Sequence, residues 1–305
     1  MATETHAQRR STTRALVALS FAAVTLAMPT NSPARPPAAF AGVAGPLVIA
    51  HRGGSLEAPE NTVAGISHGI ACGTDWQEVD VTFSQDEELV VIHDATIDRT
   101  TDGHGAVAQM TLARLRDLSA GTPRPDDDAK AALALLGIAP PTFGARYVAE
   151  RVPTLAEVLA IPNGRLMIEL KTGAHKVRLV EKVIAAIHRA RAADRVAIAS
   201  FDAAAIDLAY QREPSIPLIA LVERESDLEG KLILPVSVLA VPLDLVAAAR
   251  RVAPPQVALW AWTAYSVATA EAAIEQGAHG IITDVPTAVL ADLRTPPSVV
   301  IPLSK

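Results

Sequence analysis

Eight short apolar segments rich in Val, Ile and Leu recur along the chain between residues 47 and 284. They cover residues 47–50, 78–83, 166–170, 196–200, 218–222, 238–242, 258–263 and 280–284. Longer segments with the apolar spacing of helices lie between most of them, at 177–193, 202–213, 244–252 and 266–278. Strands that alternate with helices form a parallel sheet, and eight such strands can close a barrel. We therefore expect an α/β fold, a TIM (β/α)8 barrel.

One region interrupts this alternation after the second strand. Residues 88–94 (ELVVIHD) follow that strand too closely for an intervening helix, so they predict an added hairpin. Residues 111–121 and 154–160 have helical spacing, but the segment 122–144 between them mixes turn formers, an acidic run and a short apolar patch. We expect an insertion at about 94–150 that covers the barrel mouth, either as a lid or as a loop without function.

The first 41 residues have the pattern of a secretory signal peptide. A basic start precedes an uncharged apolar run at 15–28, and a proline-broken stretch ends in Ala39-Phe40-Ala41. The apolar run is shorter than the roughly 20 residues that span a bilayer, although an uncleaved anchor is the alternative. The sequence thus predicts an exported protein, periplasmic or secreted, cleaved near Ala41.

The charge and the cysteine content limit the partners and the source of stability. Because residues 1–41 carry four Arg and one Glu, their removal changes the net charge from −6 to −9. A domain this acidic is a poor ligand for polyanions, so nucleic acid is disfavoured as a partner. Cys72 is the only cysteine, so no intrachain disulfide can form, and we expect the core alone to stabilise the domain.

Six polar residues lie on the inner face or at the carboxyl ends of the first three predicted strands. These residues are His51, Arg52, Glu78, Asp80, Glu169 and Lys171. The carboxyl ends of the strands of a parallel barrel converge on one opening. Residues two apart on a strand, such as Glu78 and Asp80, also point to the same face. We therefore expect these side chains to form one site.

The three acidic residues of this set predict a metal site. Glu78, Asp80 and Glu169 would repel one another and be costly to bury together without a cation. Carboxylate oxygens are the ligands that Ca²⁺ and Mg²⁺ prefer. The alternative is a structural salt network in which the acids pair with Arg52 and Lys171.

The basic residues and two histidines complete the predicted chemistry. Arg52 and Lys171 offer a planar fork and a point charge, a combination that suits a phosphate group. His51 ends the first strand and His93 ends the hairpin, so both are candidates for proton transfer.

The chain resembles the glycerophosphodiester phosphodiesterases. The segments AHRGGSLEAPENT, GTDWQEVDVTFSQDEELVVIHDATIDRTTDGHG, VPTLAEVL, IELK, SFD, WT and GIITDVP follow the order and spacing of that family. The resemblance runs from about residue 47 to 290 and implies a TIM-barrel domain at 46–295. It further implies hydrolysis of small-molecule glycerophosphodiesters to glycerol 3-phosphate and an alcohol, with Ca²⁺ or Mg²⁺ as cofactor.

The matching motifs also imply roles for individual residues. His51 and His93 would be the acid and base, Arg52 and Lys171 would bind the phosphate, and the metal ligands would be Glu78, Asp80 and Glu169. Glu60 and Asn61 fall on the family signature, with a helix start fixed by local hydrogen bonds as the alternative. Three features depart from the family pattern: Gln77, Tyr265 and the insertion around 123–141.

Two other functions are compatible with parts of the sequence. A phospholipase would need an exposed apolar rim, for which residues 132–141 are the candidate, and would make at most peripheral contact with a membrane. An exported binding protein for phosphate esters would have a silent site, but the intact histidines and acids disfavour it. We expect a glycerophosphodiester phosphodiesterase, with the phospholipase as the alternative.

Overall fold

The computed structural model describes residue 40 and residues 45–294. Nine strands form one sheet in this part of the chain. They are β1 (Leu47–Ala50), β2 (Trp76–Phe83), β3 (Leu89–Val91), β4 (Leu166–Leu170), β5 (Val196–Ser200), β6 (Leu218–Leu221), β7 (Val238–Pro242), β8 (Ala258–Ala264) and β9 (Gly280–Thr283). The predicted signal peptide falls outside the described residues, apart from Phe40.

The sheet closes into a barrel of parallel strands. Its order is β1-β9-β8-β7-β6-β5-β4-β2-β3, and a further pairing between β1 and β2 closes the ring. Eight strands are parallel, and β3 runs antiparallel to β2 as the predicted hairpin. The predicted TIM barrel is confirmed, and its strand bounds agree with the sequence to within two residues at each end.

Ten α-helices occur in the described ranges. They are α1 (Val63–Cys72), α2 (Leu112–Arg116), α3 (Asp127–Leu136), α4 (Leu155–Leu159), α5 (Lys176–Arg189), α6 (Ala203–Arg212), α7 (Leu228–Leu232), α8 (Val246–Val252), α9 (Val267–Glu275) and α10 (Pro286–Leu293). None of them is long and apolar enough to cross a membrane. Helices α5 and α6 follow the predicted spacing closely, because each buries one apolar stripe against the barrel.

The barrel interior is filled at its amino-terminal end. The rings of Trp76 and Trp260 are fully buried there, with their centroids 6.2 Å apart. Phe40 packs against both, at centroid distances of 5.2 and 5.4 Å. Since large side chains occupy this end, the open space of the barrel lies at the carboxyl ends of the strands.

The insertion contains one helix that the sequence did not predict. The segment 122–144 was expected to be irregular, but α3 forms within it. The Asp126 side chain accepts a hydrogen bond from the Ala129 amide at the start of α3, and Gly137 ends the helix with a φ of 67°. These are typical N-cap and C-cap residues, and they stabilise a helix that is hard to recognise in the sequence because an acidic run begins it and prolines lie on both sides.

Candidate active site

A cavity of about 230 Å³ opens at the carboxyl ends of the strands. Six of the seven predicted site residues line it: His51, Arg52, Glu78, His93, Glu169 and Lys171. The seventh, Asp80, is buried directly behind the wall, at 1 % exposure. The structure therefore brings all seven together, as the convergence of the strand ends predicts.

The backbone turn after β1 explains the His-Arg-Gly-Gly sequence. Both Arg52 and Gly53 have positive φ angles, 53° and 88°. A Cβ atom on Gly53 would lie 2.5 Å from the carbonyl carbon of Gly65 in α1, far inside van der Waals contact. Only glycine fits this position, and the tight turn against α1 keeps His51 and Arg52 at the cavity.

His51 is oriented by an acidic residue from the neighbouring strand. Its Nδ1 atom lies 2.5 Å from Oδ1 of Asp284, which directly follows β9. Its Nε2 atom lies 4.0 Å from Oε2 of Glu78. Burial opposes a charge on the ring, but Asp284 and Glu78 outweigh burial, so the pKa of His51 is raised. With Nδ1 held by a carboxylate, Nε2 is the atom available for proton transfer.

The three acidic residues form a compact buried cluster. Glu78, Asp80 and Glu169 each offer a carboxylate oxygen, and these oxygens lie within 4.8 Å of one another. The cluster follows from strand register, because Asp80 of β2 is directly opposite Glu169 of β4. Glu78 lies two residues before Asp80 and shares its face.

The contacts of the cluster test whether it fits a cation. Lys171 Nζ lies 2.8 Å from Glu169 Oε1 and 3.1 Å from Asp80 Oδ1, so part of the alternative salt network is present. Arg52 donates its backbone N–H to Glu78 Oε2, but Glu78 Oε1 is buried without a hydrogen-bond partner among the described residues. Burial, and then the charge of Asp80, raise the pKa of Glu78 to about 8. The cluster buries one more negative charge than Arg52 and Lys171 balance. A divalent cation would compensate for it.

Asp80 has the opposite electrostatic balance. Burial opposes its ionisation, yet the charges of Lys171, His93 and Arg52 hold the pKa of this carboxyl well below its usual range. Asn61 also donates a hydrogen bond of 2.8 Å from Nδ2 to Asp80 Oδ2. The Asn61 side chain thus fixes a predicted metal ligand. The start of α1 is capped instead by Thr62, which accepts from Gly65.

Arg52 is surrounded by acidic residues. Its Nη1 atom donates to Glu60 Oε1 at 3.1 Å and to Asp126 Oδ2 at 2.9 Å, and its Nε lies 3.5 Å from Asp80 Oδ2. Burial disfavours the charged guanidinium, but Glu60, Asp80 and Asp126 raise its pKa well above the usual value. Among the described residues, Nη1 makes both of these hydrogen bonds, whereas Nε is buried without a hydrogen-bond partner.

A chain of ionic contacts connects Arg52 to the second histidine. Glu60 also accepts a hydrogen bond from Arg99 Nη2 at 2.9 Å. Arg99 in turn donates from Nε to Asp94 Oδ2 at 2.8 Å, and Asp94 Oδ1 lies 2.7 Å from Nδ1 of His93. Glu60 and Arg99 therefore tie the position of the predicted phosphate ligand to that of His93.

Three aromatic residues form the outer wall of the cavity. Phe201 and Trp262 make an edge-to-face pair with ring centroids 5.8 Å apart, and Tyr265 also lines the cavity. Tyr265 was predicted near the mouth, where it departs from the family pattern. Burial and the nearby charge of Asp284 raise the pKa of its hydroxyl above the usual value. Gln77 does not line the cavity; its amide donates to Thr74 Oγ1.

Sequence reasoning missed four acidic or basic residues of this network. They are Asp94, Arg99, Asp126 and Asp284. Asp284 and Asp94 could have been identified from the sequence, because Asp284 ends a predicted barrel strand and Asp94 directly follows His93. Asp126 and Arg99 belong to the insertion, whose path across the barrel no local pattern specifies.

A family model and curated relatives both match this chain. The model of the glycerophosphoryl diester phosphodiesterase family matches residues 51–288. A glycerophosphodiester phosphodiesterase of Caldanaerobacter subterraneus subsp. tengcongensis is 32 % identical over 260 residues, which is 81 % of this chain and 98 % of that protein.

Solved structures show the same fold. An Oleispira antarctica phosphodiesterase, in complex with the product sn-glycerol-3-phosphate, matches with a TM-score of 0.67 and 25 % identity. The match covers 82 % of this chain and 97 % of that one. A glycerophosphodiester phosphodiesterase of Agrobacterium tumefaciens matches with a TM-score of 0.60 and 21 % identity, over 80 % and 99 % of the two chains.

Proposed function

Because this chain belongs to the glycerophosphoryl diester phosphodiesterase family, we propose that its cavity hydrolyses glycerophosphodiesters to glycerol 3-phosphate and an alcohol. One observation carries the assignment to this site. The cavity combines two histidines, two fixed cations and three clustered carboxylates, all within one opening of the barrel. Together these groups can transfer protons and stabilise charge on the phosphate, the two contributions that phosphodiester hydrolysis needs.

We propose that Glu78, Asp80 and Glu169 hold the divalent cation, either Ca²⁺ or Mg²⁺. Their fit rests on three buried carboxylates with oxygens within 4.8 Å and an orphaned oxygen on Glu78. A bound cation would supply Lewis-acid stabilisation of the charge on the phosphate oxygens.

Arg52 and Lys171 bind and orient the phosphate in this proposal. Arg52 is held by Glu60 and Asp126 through Nη1, so its guanidinium is fixed in the cavity lining before substrate arrives. Lys171 is held by Glu169 in the same way. Charges fixed in advance stabilise a transition state without reorganisation.

The two histidines divide the proton transfers. We assign His51 as the base that takes a proton from the attacking oxygen and His93 as the acid that protonates the departing alkoxide. Each ring is fixed through Nδ1 by a carboxylate, Asp284 for His51 and Asp94 for His93. Substrates with good and poor leaving groups test the order. The loss in His93→Ala should shrink with a good leaving group, whereas equal losses in His51→Ala and His93→Ala would contradict it.

A second candidate function is phospholipase activity on lysophospholipid or phospholipid phosphodiester bonds. The observation in its favour is an apolar surface at the end of α3, where Leu135 is 90 % exposed and Ile138 is 51 % exposed. A panel of glycerophosphocholine, lysophosphatidylcholine and diacylphosphatidylcholine, assayed with Ca²⁺, Mg²⁺ and chelator, separates the two functions. We expect the water-soluble diester to be the preferred substrate; preference for the lipids would favour the phospholipase.

We also propose that the protein is exported and acts in the periplasm or outside the cell. The support is the basic start, the apolar run at 15–28 and the small residues around Ala41. Determining the amino terminus of the protein recovered from each cell fraction tests this. Cleavage near Ala41 is expected, and an intact amino terminus in the cytoplasm would contradict it.

A further inference from the structure

The insertion sends one carboxylate into the phosphate site. Asp126 Oδ2 accepts a hydrogen bond of 2.9 Å from Arg52 Nη1, while its Oδ1 accepts from the Ala129 amide at the start of α3. The Arg52 side chain is 6 % exposed and that of Asp126 is 25 % exposed, so the pair is only partly screened by water. Asp126 lines the same cavity as Arg52, and a phosphate on Arg52 would lie close to it.

Fixed charges around the phosphate site are close to balance. The acids Glu78, Asp80 and Glu169 contribute three negative charges, and Arg52 and Lys171 contribute two positive charges. Glu60, the other acid on Nη1 of Arg52, is balanced by its contact with Arg99. With a divalent cation bound, this inner set carries one net positive charge. A phosphodiester carries one negative charge and would neutralise it.

Hydrolysis changes the charge of the phosphate group. A phosphodiester has no second ionisation, whereas the second pKa of a phosphomonoester is about 6, so glycerol 3-phosphate is mainly doubly charged near neutral pH. The product therefore has one negative charge more than the substrate. Asp126 adds a further negative charge beside Arg52, the residue that binds the phosphate in the proposed function.

We propose that Asp126 is a specificity-determining residue that makes this site discriminate against doubly charged phosphomonoesters. By occupying Nη1 of Arg52, its carboxylate weakens the binding of glycerol 3-phosphate more than that of the singly charged diester. The consequence is weaker product inhibition. This inference rests on the proposed function, because it assumes that the phosphate binds beside Arg52.

The contact between Asp126 and Arg52 is not the only contact that holds the insertion in place. Arg124 also holds this segment, since its amide donates to Arg99 O at 3.0 Å and its Nη2 donates to Asp98 O at 2.7 Å. Arg99 in turn donates from Nη2 to Glu60, which lies outside the insertion, at 2.9 Å. The cap of α3 does not require a charge either, because Asn and Ser are equally good N-cap residues. What the carboxylate adds is its charge on Arg52.

The variants Asp126→Asn and Asp126→Ser test this proposal, since both keep a capping side chain and remove the charge. We would measure the affinity for glycerol 3-phosphate by calorimetry with Mg²⁺ or Ca²⁺, its inhibition constant, and KM for glycerophosphocholine. We expect the product to bind about tenfold more tightly in both variants, the size of effect of one unit charge several ångström away in a partly solvated site. KM should change by less than about threefold, because the substrate carries half the charge.

Asp117→Asn is the control. Asp117 is also in the insertion, but it is 69 % exposed, pairs with Arg114 and does not line the cavity. In this variant, the dissociation constant of glycerol 3-phosphate divided by the KM for glycerophosphocholine should equal the wild-type value. The proposal is overturned if product affinity is unchanged or weaker in both Asp126 variants, if it rises no more than substrate affinity, or if Asp117→Asn shows the same change. A wild-type protein that releases no glycerol 3-phosphate would contradict the proposed function instead. In that case, calorimetry with glycerol 3-phosphate and with glycerophosphocholine would still test the charge discrimination.

Discussion

His51 Nδ1 and Asp284 Oδ1 lie 2.5 Å apart at the carboxyl ends of the neighbouring strands β1 and β9. The pairing of Ala50 with Thr283 in these strands puts the two residues side by side, although 233 positions separate them in the chain. A carboxylate on Nδ1 fixes the orientation of the imidazole ring and stabilises its protonated form. In the proposed reaction, proton transfer by His51 therefore depends on Asp284.

Replacing Asp284 by Asn should lower kcat for glycerophosphocholine by about 10²-fold or more, because His51 would lose the group that orients it and stabilises its charge. Binding of the cation should be unaffected, since Asp284 is not part of the acidic cluster. Steady-state kinetics and cation titrations check both statements. A variant with the kcat of the wild type would show that Asp284 has no part in the reaction.

Replacing Glu169 by Gln should remove most of the stabilisation that Ca²⁺ or Mg²⁺ gives to the fold. A cation that binds only the native state raises the unfolding temperature, and the neutral side chain would weaken its binding. Thermal unfolding with cation and with chelator measures the difference. Glu229→Gln, an exposed change on α7, is the matched control and should respond as the wild type. An equal response in Glu169→Gln would contradict the assignment of Glu169 as a ligand.

Two glycines with the same φ angle give a matched pair for the turn after β1. Gly53 and Gly73 both have a φ of 88°, so alanine at either site incurs strain of about 1 kcal/mol. Only at Gly53 would the new Cβ also collide with the backbone of Gly65, whereas nothing lies within 4 Å at Gly73. We expect Gly53→Ala to cost at least about 2 kcal/mol more in unfolding free energy and to reduce kcat. Similar losses in both variants would show that α1 yields to the added methyl group.

An ionic contact between α2 and α4 should make stability depend on pH. The hydrogen bonds from Arg116, and from Thr154 in the capping box, outweigh partial burial and lower the pKa of Glu157 to about 2. The folded pKa is below the unfolded one, so this stabilisation is complete above about pH 5 and is lost as the pH falls toward 2.

Glu157→Gln should cost about 1 kcal/mol at neutral pH, because the side chains are 40 % exposed and water screens the pair. The difference in unfolding free energy from the wild type should shrink as the pH falls. A difference that stays constant between about pH 5 and pH 2 would assign the effect to packing rather than charge.

The barrel could be predicted from the sequence because most of its strands are buried on both faces and lie between helical segments. The strand at Leu166–Leu170 shows this clearly, since all five residues are buried and the prediction has the same bounds. The seven predicted site residues follow from the same logic, because strand ends in a closed barrel converge.

The supporting residues were harder to predict because they depend on long-range contacts. Glu60 and Asn61 precede a helix, which suggested a local role, but their side chains reach Arg52 and Asp80. Helix α3 begins with an acidic run that resembles a solvated loop. Only the fold reveals that Asp126 contacts Arg52, 74 residues away.

The measurement that most directly tests the assignment of this site is the release of glycerol 3-phosphate from glycerophosphocholine, followed with cation, with chelator, and with cation restored. We predict rapid release with Ca²⁺ or Mg²⁺, loss of release with chelator, and recovery when the cation is added back. His51→Ala and His93→Ala should bind the cation as the wild type does yet lose about 10²–10⁴-fold in rate. Release that persists in the chelator, or that is undiminished in both histidine variants, would contradict a cation-dependent, two-histidine reaction in this cavity.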